Sequence, residues 1–331
     1  MKKYSILFMA IATMLFISCS KDDNDYDYEN GTWSTVEIAF DVTKPPMTVK
    51  LSNSTADLYI HTQWGDGSSS ENTYEHTYTT AGRYNIVVKA RNMEVFNIHY
   101  NYSSIHFKDC PDLIYNHHTI GDGTINDTIT VPKAVKFENC PKLTIISLTT
   151  QKVTNLEIVN CPKLETLDCS VHQLQSLNLD CPALTKLDCS MGPLEELNLK
   201  NLPLLESLNC SYNQLKNIDL KNNDKLKEVD CSWNQFSNIT FKGLGKLEDI
   251  NCSNNQLTTL NVEDCYELIS LDCKFNKLTE LDVSNNTNLI FLTCTDNYNY
   301  ADHSSLETIW IWEGAKTSGW LTMGVEYKVK Q

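Results

Sequence analysis

Thirteen cysteines in 331 residues are the first chemistry the sequence offers. Seven of them, Cys169, Cys189, Cys210, Cys231, Cys252, Cys273 and Cys294, recur at one interval of 20 and then five of 21 residues. A second set, Cys110, Cys140, Cys161, Cys181 and Cys265, falls shortly before a leucine. Thiols in this number could bridge, bind a soft metal, attack as thiolates or fill space. A zinc site needs convergent ligands, commonly with a C-x-x-C arm, and the sequence contains no C-x-x-C. The recurrent spacing of eight (161/169, 181/189, 265/273) puts the paired sulfurs on different sides of one turn. Strands stacked about 4.8 Å apart carry parallel Cβ vectors, whereas a disulfide needs Cβ atoms about 3.8 Å apart and converging. Leu148 stands in the first column, and Leu202, Asn223, Leu244 and Asn286 stand in the second, so both columns ask for packing. Twelve cysteines therefore read as reduced core, with no metal and no cofactor. Cys19 stands apart.

The remaining reactive groups do not assemble into a catalyst. Eight histidines are scattered, and His117-His118 is the only adjacent pair. The sequence has no G-x-S-x-G, H-E-x-x-H, P-loop or dinucleotide fingerprint. Glycoside hydrolysis needs two carboxylates about 5–10 Å apart, a distance that stacked aspartates supply by chance. Asp66 reads as the cap of its own turn, His76 as a packed ring, and His172 as a substitute in a structural ladder. No catalytic residue is expected. The balance of 27 Lys plus Arg against 42 Asp plus Glu, a net charge of −15, leaves no basic stripe for nucleic acid.

The elements that position these columns follow from the period. Each regular cysteine sits in a frame Leu-x-Cys-x-x-Asn-x-Leu, as in Leu208-Asn209-Cys210-Ser211-Tyr212-Asn213-Gln214-Leu215. Residues two apart share one face of a strand, so Leu and Cys both point inward. The column Asn213, Asn234, Asn255, Asn276 and Asn297 supplies amides to bond backbone where no ladder satisfies it; His172 and Gly192 interrupt it. The short interval between Cys169 and Cys189 predicts a kink. This frame, repeated eight times with Leu148 in the first, resembles the leucine-rich repeat, and its wording is similar to that of surface proteins of Bacteroides and of internalins. The resemblance implies a mainly β protein, a right-handed solenoid with a parallel concave sheet. It covers 98–305, irregular over 98–144 and regular over 145–299, with an insertion around His117 to Thr130. The segment 306–331, with Ile309-Trp310-Ile311-Trp312, resembles the closing segment of those proteins and is expected to cap the open end.

Ahead of the repeats, residues 33–97 alternate in short β-rich runs: Thr35 to Val42, Thr48 to Leu51, Leu58 to Trp64, Tyr74 to Tyr78 and Tyr84 to Val88. A tight turn falls at Gly65-Asp66-Gly67-Ser68. Trp64-Gly65-Asp66-Gly67 together with His76-Thr77-Tyr78 and Gly82-Arg83-Tyr84 resembles the PKD family, which implies an immunoglobulin-like β-sandwich; the module is read as a spacer or presentation module. At the N-terminus, Lys2 and Lys3 precede an apolar run to Ser18, too short to span a bilayer. Phe16-Ile17-Ser18-Cys19 resembles a bacterial lipobox, though Phe16 and Ile17 depart from its usual Leu and small residue. The resemblance makes 1–18 a lipoprotein signal peptide, Cys19 the lipid attachment site, and 19–32 an acylated acidic tether. That tether is similar to the export signal of Bacteroidetes lipoproteins. The expected location is the outer membrane, lipid-anchored and facing the exterior.

The function then falls to the outward residues of the sheet. One outward column reads Asp168, Asp188, Asn209, Asp230, Asn251, Asp272 and Thr293; a second reads Val171, Met191, Tyr212, Trp233, Asn254, Phe275 and Asp296. Tyr212, Trp233 and Phe275 supply apolar anchors, and Asp168, Asp188, Asp230 and Asp272 supply charge. Like charges on neighbouring strands repel, which a cationic partner would relieve. The expected function is non-catalytic recognition of a protein partner carrying a basic patch. The rival readings are glycan capture on the same stripe and a structural envelope or adhesion component without a specific ligand.

Overall fold

The computed structural model describes residues 33–42, 45–52, 59–98, 103–117, 133–149, 152–299, 304–322 and 324–330. Cys19, the apolar leader, the acidic tether and most of the insertion lie outside them. Every regular element among the described residues is a strand. The chain divides into two compact units at 163/164.

The first unit is a two-sheet sandwich. Its central strand, Ser34–Val42, buries Val36, Ile38, Phe40 and Val42 at alternate positions, as a period of two dictates. It pairs antiparallel with Gly82–Arg91 on one side and with Ser104–Lys108 on the other. Tyr59–Gln63 lies beyond Gly82–Arg91 and forms a hairpin with Ser69–Glu71. The connecting turn needs glycine at Gly65, whose φ is +81°, because a Cβ there would stand 2.5 Å from the Asn85 carbonyl oxygen. Beyond Ser104–Lys108 the sheet turns parallel, through Lys133–Glu138 and Val153–Val159.

The second sheet of this unit makes the same change. Glu75–Tyr78, Met47–Ser52 and Val95–Ile98 are antiparallel, then Tyr115–His117 and Ile145–Ser147 continue in parallel. The module expected at 33–97 and the irregular repeats expected from 98 thus share both sheets. The aromatic core is continuous across that point: the Phe96 and Phe107 rings lie 5.8 Å apart, and Phe107 stacks on Phe137 at 4.8 Å. A parallel stack exposes an unpaired strand edge at its end. Here the antiparallel strands of the sandwich cover that edge.

The second unit is a parallel β-solenoid. Thr166–Asp168, Lys186–Asp188, Ser207–Asn209, Glu228–Asp230, Asp249–Asn251, Ser270–Asp272 and Phe291–Thr293 pair in sequence order. Leu167, Leu187, Leu208, Val229, Ile250, Leu271 and Leu292 are in register and buried. A second set of parallel pairs joins Ser176–Asn178 with Glu196–Asn198 and Ile239–Thr240 with Leu260–Asn261. The short interval between Cys169 and Cys189 does not interrupt the ladder, since Lys186–Asp188 keeps its register with the strands on both sides. Both ladders of the rung stay aligned because the missing residue is taken from the turns between them. Towards the C-terminus, Thr308–Ile311 and Glu326–Val329 add two parallel strands to Glu280–Asp282. Leu321 bridges Thr293 at the end of the main sheet. The fold class is therefore mainly β, a leucine-rich repeat solenoid preceded by a small β-sandwich.

Candidate interaction face

The inward columns form the scaffold for everything exposed. Cys169, Cys189, Cys210, Cys231, Cys252, Cys273 and Cys294 are buried, and Leu148 is buried too. None of the twelve described cysteines is in a disulfide. Burial pushes the thiols of the regular column up, Cys294 to about 12, and that of Cys265 likewise to about 12, so thiolate chemistry is closed to them near neutral pH. Among the described residues no cluster of three or more His, Cys, Asp or Glu side chains has the geometry to hold a metal ion.

The asparagine column fixes the backbone just beyond each strand. Asn213 donates through Nδ2 to the carbonyls of Cys189, at 2.9 Å, and Cys210, at 3.1 Å, and accepts the Leu194 N–H at Oδ1. Asn234, Asn255, Asn276 and Asn297 repeat this pattern. Where Gly192 interrupts the column, His172 of the preceding rung takes over. Its Nε2–H donates to the Cys189 carbonyl at 3.0 Å, and its Nδ1 accepts the Leu174 N–H at 2.9 Å. These are two of the bonds an amide at position 192 would make. A Cβ on Gly192 would lie 2.1 Å from His172 Cε1, so the two departures are one exchange. Burial holds the His172 imidazole below its usual value, favouring the neutral ring that can both donate and accept.

Aspartates of the first outward column cap their own turns. Asp168, Asp188 and Asp230 accept from both the N–H and the Oγ of the serine two residues on, at 2.6–3.0 Å. Asn209 and Asn251 do the same. These asparagines also donate to the spare oxygens of Asp188 and Asp230, at 3.0 and 3.1 Å. The alternation of Asp with Asn therefore relieves part of the expected repulsion from within. Asp272 caps Lys274 and pairs with its ammonium at 2.9 Å.

The second outward column carries the feature the sequence did not reveal. Val171, Met191, Tyr212, Trp233, Asn254, Phe275 and Asp296 all have positive φ, between 52° and 62°. Two ladder bonds impose this. The Tyr212 N–H donates to the Ser232 carbonyl at 3.0 Å, and the Asn213 N–H donates to the Trp233 carbonyl at 3.1 Å, with equivalents along the column. Left-handed backbone favours glycine and asparagine and costs other residues roughly 1–2 kcal/mol. A β-branched Val171 is a clear outlier there. Yet Met191, Tyr212, Trp233 and Phe275 are exposed, at 55, 51, 50 and 49%, and Tyr212 stacks on Trp233 with ring centroids 5.2 Å apart and planes within 10°. Of the residues expected at the site, the structure thus brings Tyr212 and Trp233 into contact. Phe275 stands two rungs from Trp233, with Asn254 between, and the four aspartates line the neighbouring column.

In the sandwich, Asp66 and His76 form a tight local pair. Burial raises the Asp66 carboxyl, but the Ser68 hydroxyl and amide together with His76 outweigh it and hold the group at about 2. The Asp66 Oδ2 to His76 Nε2 distance is 2.6 Å. His76 stacks on Trp64 at 5.0 Å, and the Tyr78 hydroxyl donates to the Trp64 carbonyl. These are contacts that fix a turn.

Among the described residues, stacked parallel rungs with buried thiol and amide columns give the architecture of a leucine-rich repeat solenoid. No protein-family model matches the chain, and none of the curated proteins matches it. Among solved structures it is similar to the functional domain of InlJ from Listeria monocytogenes, a structure described as including a cysteine ladder. That likeness has 22% identity and a TM-score of 0.48, and covers 73% of this chain and 64% of the Listeria chain. The chain thus spans just under two thirds of that domain. It is also similar to a leucine-rich repeat protein of Leptospira interrogans, at 17% identity and a TM-score of 0.38, over 57% of this chain and 67% of that one.

Proposed function

We propose that the chain is a non-catalytic binding protein, held at the cell surface by a lipid on Cys19, whose parallel sheet recognises a basic protein partner. One observation carries this reading. Tyr212, Trp233 and Phe275 are half exposed in a backbone conformation that disfavours them, so neither core packing nor local preference accounts for their presence. Strain held at an exposed aromatic stripe marks a position kept for contact, and Tyr and Trp are favoured anchors. Beside the apolar anchors run the turn-capping carboxylates of Asp168, Asp188 and Asp230, an acidic rail. A cationic partner would satisfy both.

The test is a cross-linked pull-down from the surface of intact cells, with the wild-type chain and Tyr212→Ala/Trp233→Ala compared. The expected result is a captured surface protein that the double variant loses, with capture falling as salt rises. Equal capture by both chains would sink the reading. The glycan alternative expects loss of a carbohydrate ligand on the same substitution. The half-exposed rings weigh against a purely structural role, in which they would be covered by the chain itself.

A further inference from the structure

The second unit presents a strand edge with a sequence of its own kind. Glu326–Val329 pairs in parallel with Thr308–Ile311 and is the outermost strand of its sheet among the described residues. Parallel pairing divides its backbone groups by parity. The Glu326 N–H donates to the Glu307 carbonyl at 2.7 Å, and the Lys330 N–H donates to the Ile311 carbonyl at 3.1 Å. The even-numbered residues therefore bond to the neighbouring strand. The N–H and C=O groups of Val325, Tyr327 and Val329 point the other way, where a further strand would lie. Such an edge is a template for another chain.

The same edge carries apolar surface. Ile309 and Ile311 are buried, whereas Tyr327 and Val329, their register partners on the same face, are exposed at 37 and 51%. Tyr327 meets the Trp320 ring at 6.1 Å, and its hydroxyl shares a hydrogen bond with that of Thr322. Core-facing positions are thus left half covered beside outward backbone groups.

What fits this edge is decided by its side chains. Val325-Glu326-Tyr327-Lys328-Val329 is its own complement when a second copy is laid against it antiparallel. With the two Tyr327 residues opposite each other, Glu326 faces Lys328, Lys328 faces Glu326, and each Val325 faces a Val329. Odd residues meet odd residues, so the outward groups of the two Tyr327 residues form a hydrogen-bonded pair. Sliding the register by two residues sets Glu326 against Glu326 in one direction and Lys328 against Lys328 in the other. Like charges directly opposite are destabilising, so charge and backbone select the same register. Lys330 then faces Gly324, whose φ of 69° belongs to the preceding turn, and meets no cation there. Within one chain Glu326 and Lys328 lie 3.1 Å apart, so both charges are already held beside the edge.

We propose that the chain forms a two-fold dimer by antiparallel pairing of Glu326–Val329 with the same strand of a second copy. The axis passes between the two Tyr327 residues, which makes the contact isologous and closed. A different partner would have to supply the same Glu-x-Lys order flanked by apolar residues, which a second copy carries by construction. The strand belongs to a different sheet from the aromatic stripe, so the dimer stands independently of the recognition proposed above.

Sedimentation equilibrium of the full chain in density-matched detergent tests this. The mass should double as concentration rises through the micromolar range. Glu326→Lys and Lys328→Glu should each weaken self-association by at least about tenfold, since each sets two like-charge pairs across the axis. An equimolar mixture of the two variants should associate as tightly as wild type, because every opposed pair is then Glu with Lys. The mixture still lacks the pair within each chain, so recovery reads the contact between copies alone. Monomer at every concentration, dimers indifferent to either reversal, or variants that fail to recover on mixing would each overturn the proposal.

Discussion

At the scale of single residues, the molecule shows two kinds of departure from its own repeat, and they have opposite consequences. His172 with Gly192 is a compensated departure. Either substitution alone should be costly: His172→Asn leaves the Leu174 N–H unpaired, at about 1–3 kcal/mol, and Gly192→Asn drives its Cβ into the imidazole. The double variant His172→Asn/Gly192→Asn restores the regular amide and should exceed both singles in urea midpoint, a coupling read by a double-mutant cycle. Because burial lowers the folded-state value of His172, its contribution is whole above its unfolded value near pH 6.5 and is lost as pH falls through the lower folded value. Wild type should therefore lose more stability than the double variant between pH 7.5 and pH 5. Phe275 is an uncompensated departure, with Asn254 and Asp296 as its column neighbours rather than a ring. Phe275→Asn should raise stability by about 1 kcal/mol, since asparagine tolerates this backbone, while weakening partner binding. A lower urea midpoint would show that the ring is held for packing.

At the scale of the element, a rung is defined by columns rather than by any one residue, and this decides what could be read in advance. Leu, Cys and Asn return at a fixed period, so the parallel strands, the buried thiols and the amide ladder were legible. The outward position of Tyr212, Trp233 and Phe275 was legible too, because it follows from alternation. Their left-handed backbone was not, because cross-rung hydrogen bonds impose it on residue types that locally argue against it. The continuity of the sandwich with the irregular repeats was equally hidden. It rests on pairing Thr35 with Lys108 and Leu51 with Ile98, which leaves no periodic mark. If columns define the rung, removing residues 234–254 joins Trp233 to Asn255 and keeps every column in phase. That chain should fold cooperatively with unchanged circular dichroism per residue and a modestly lower midpoint, as nearest-neighbour stacking requires. Removing 234–244 puts inward and outward positions out of phase, and should leave the second unit unfolded.

For the molecule as a whole, the question is how a chain proposed to work outside the cell tolerates so many thiols in an oxidising setting. The answer lies in burial together with geometry. The twelve described cysteines are sealed in the interior, and desolvation keeps those of the regular column protonated far above neutral pH. In the regular column the stacked strands also aim their sulfurs in parallel rather than at one another. Oxidation would need the rungs to open, so the solenoid protects its thiols for as long as it stays folded. The native chain should therefore react negligibly with Ellman's reagent over minutes, and after unfolding in guanidinium without reductant about twelve thiols should appear. Several missing thiols would mean bridges and would break this account. The thirteenth cysteine makes the same titration a test of anchoring. An acylated Cys19 contributes no thiol, so chain extracted from membranes should give twelve, whereas an unmodified Cys19 retained in the chain would give thirteen. Cys19→Ser should shift the protein from the membrane to the soluble fraction while leaving its titration at twelve. A Cys19→Ser chain still held in the membrane fraction would show that something other than the proposed lipid fixes it there.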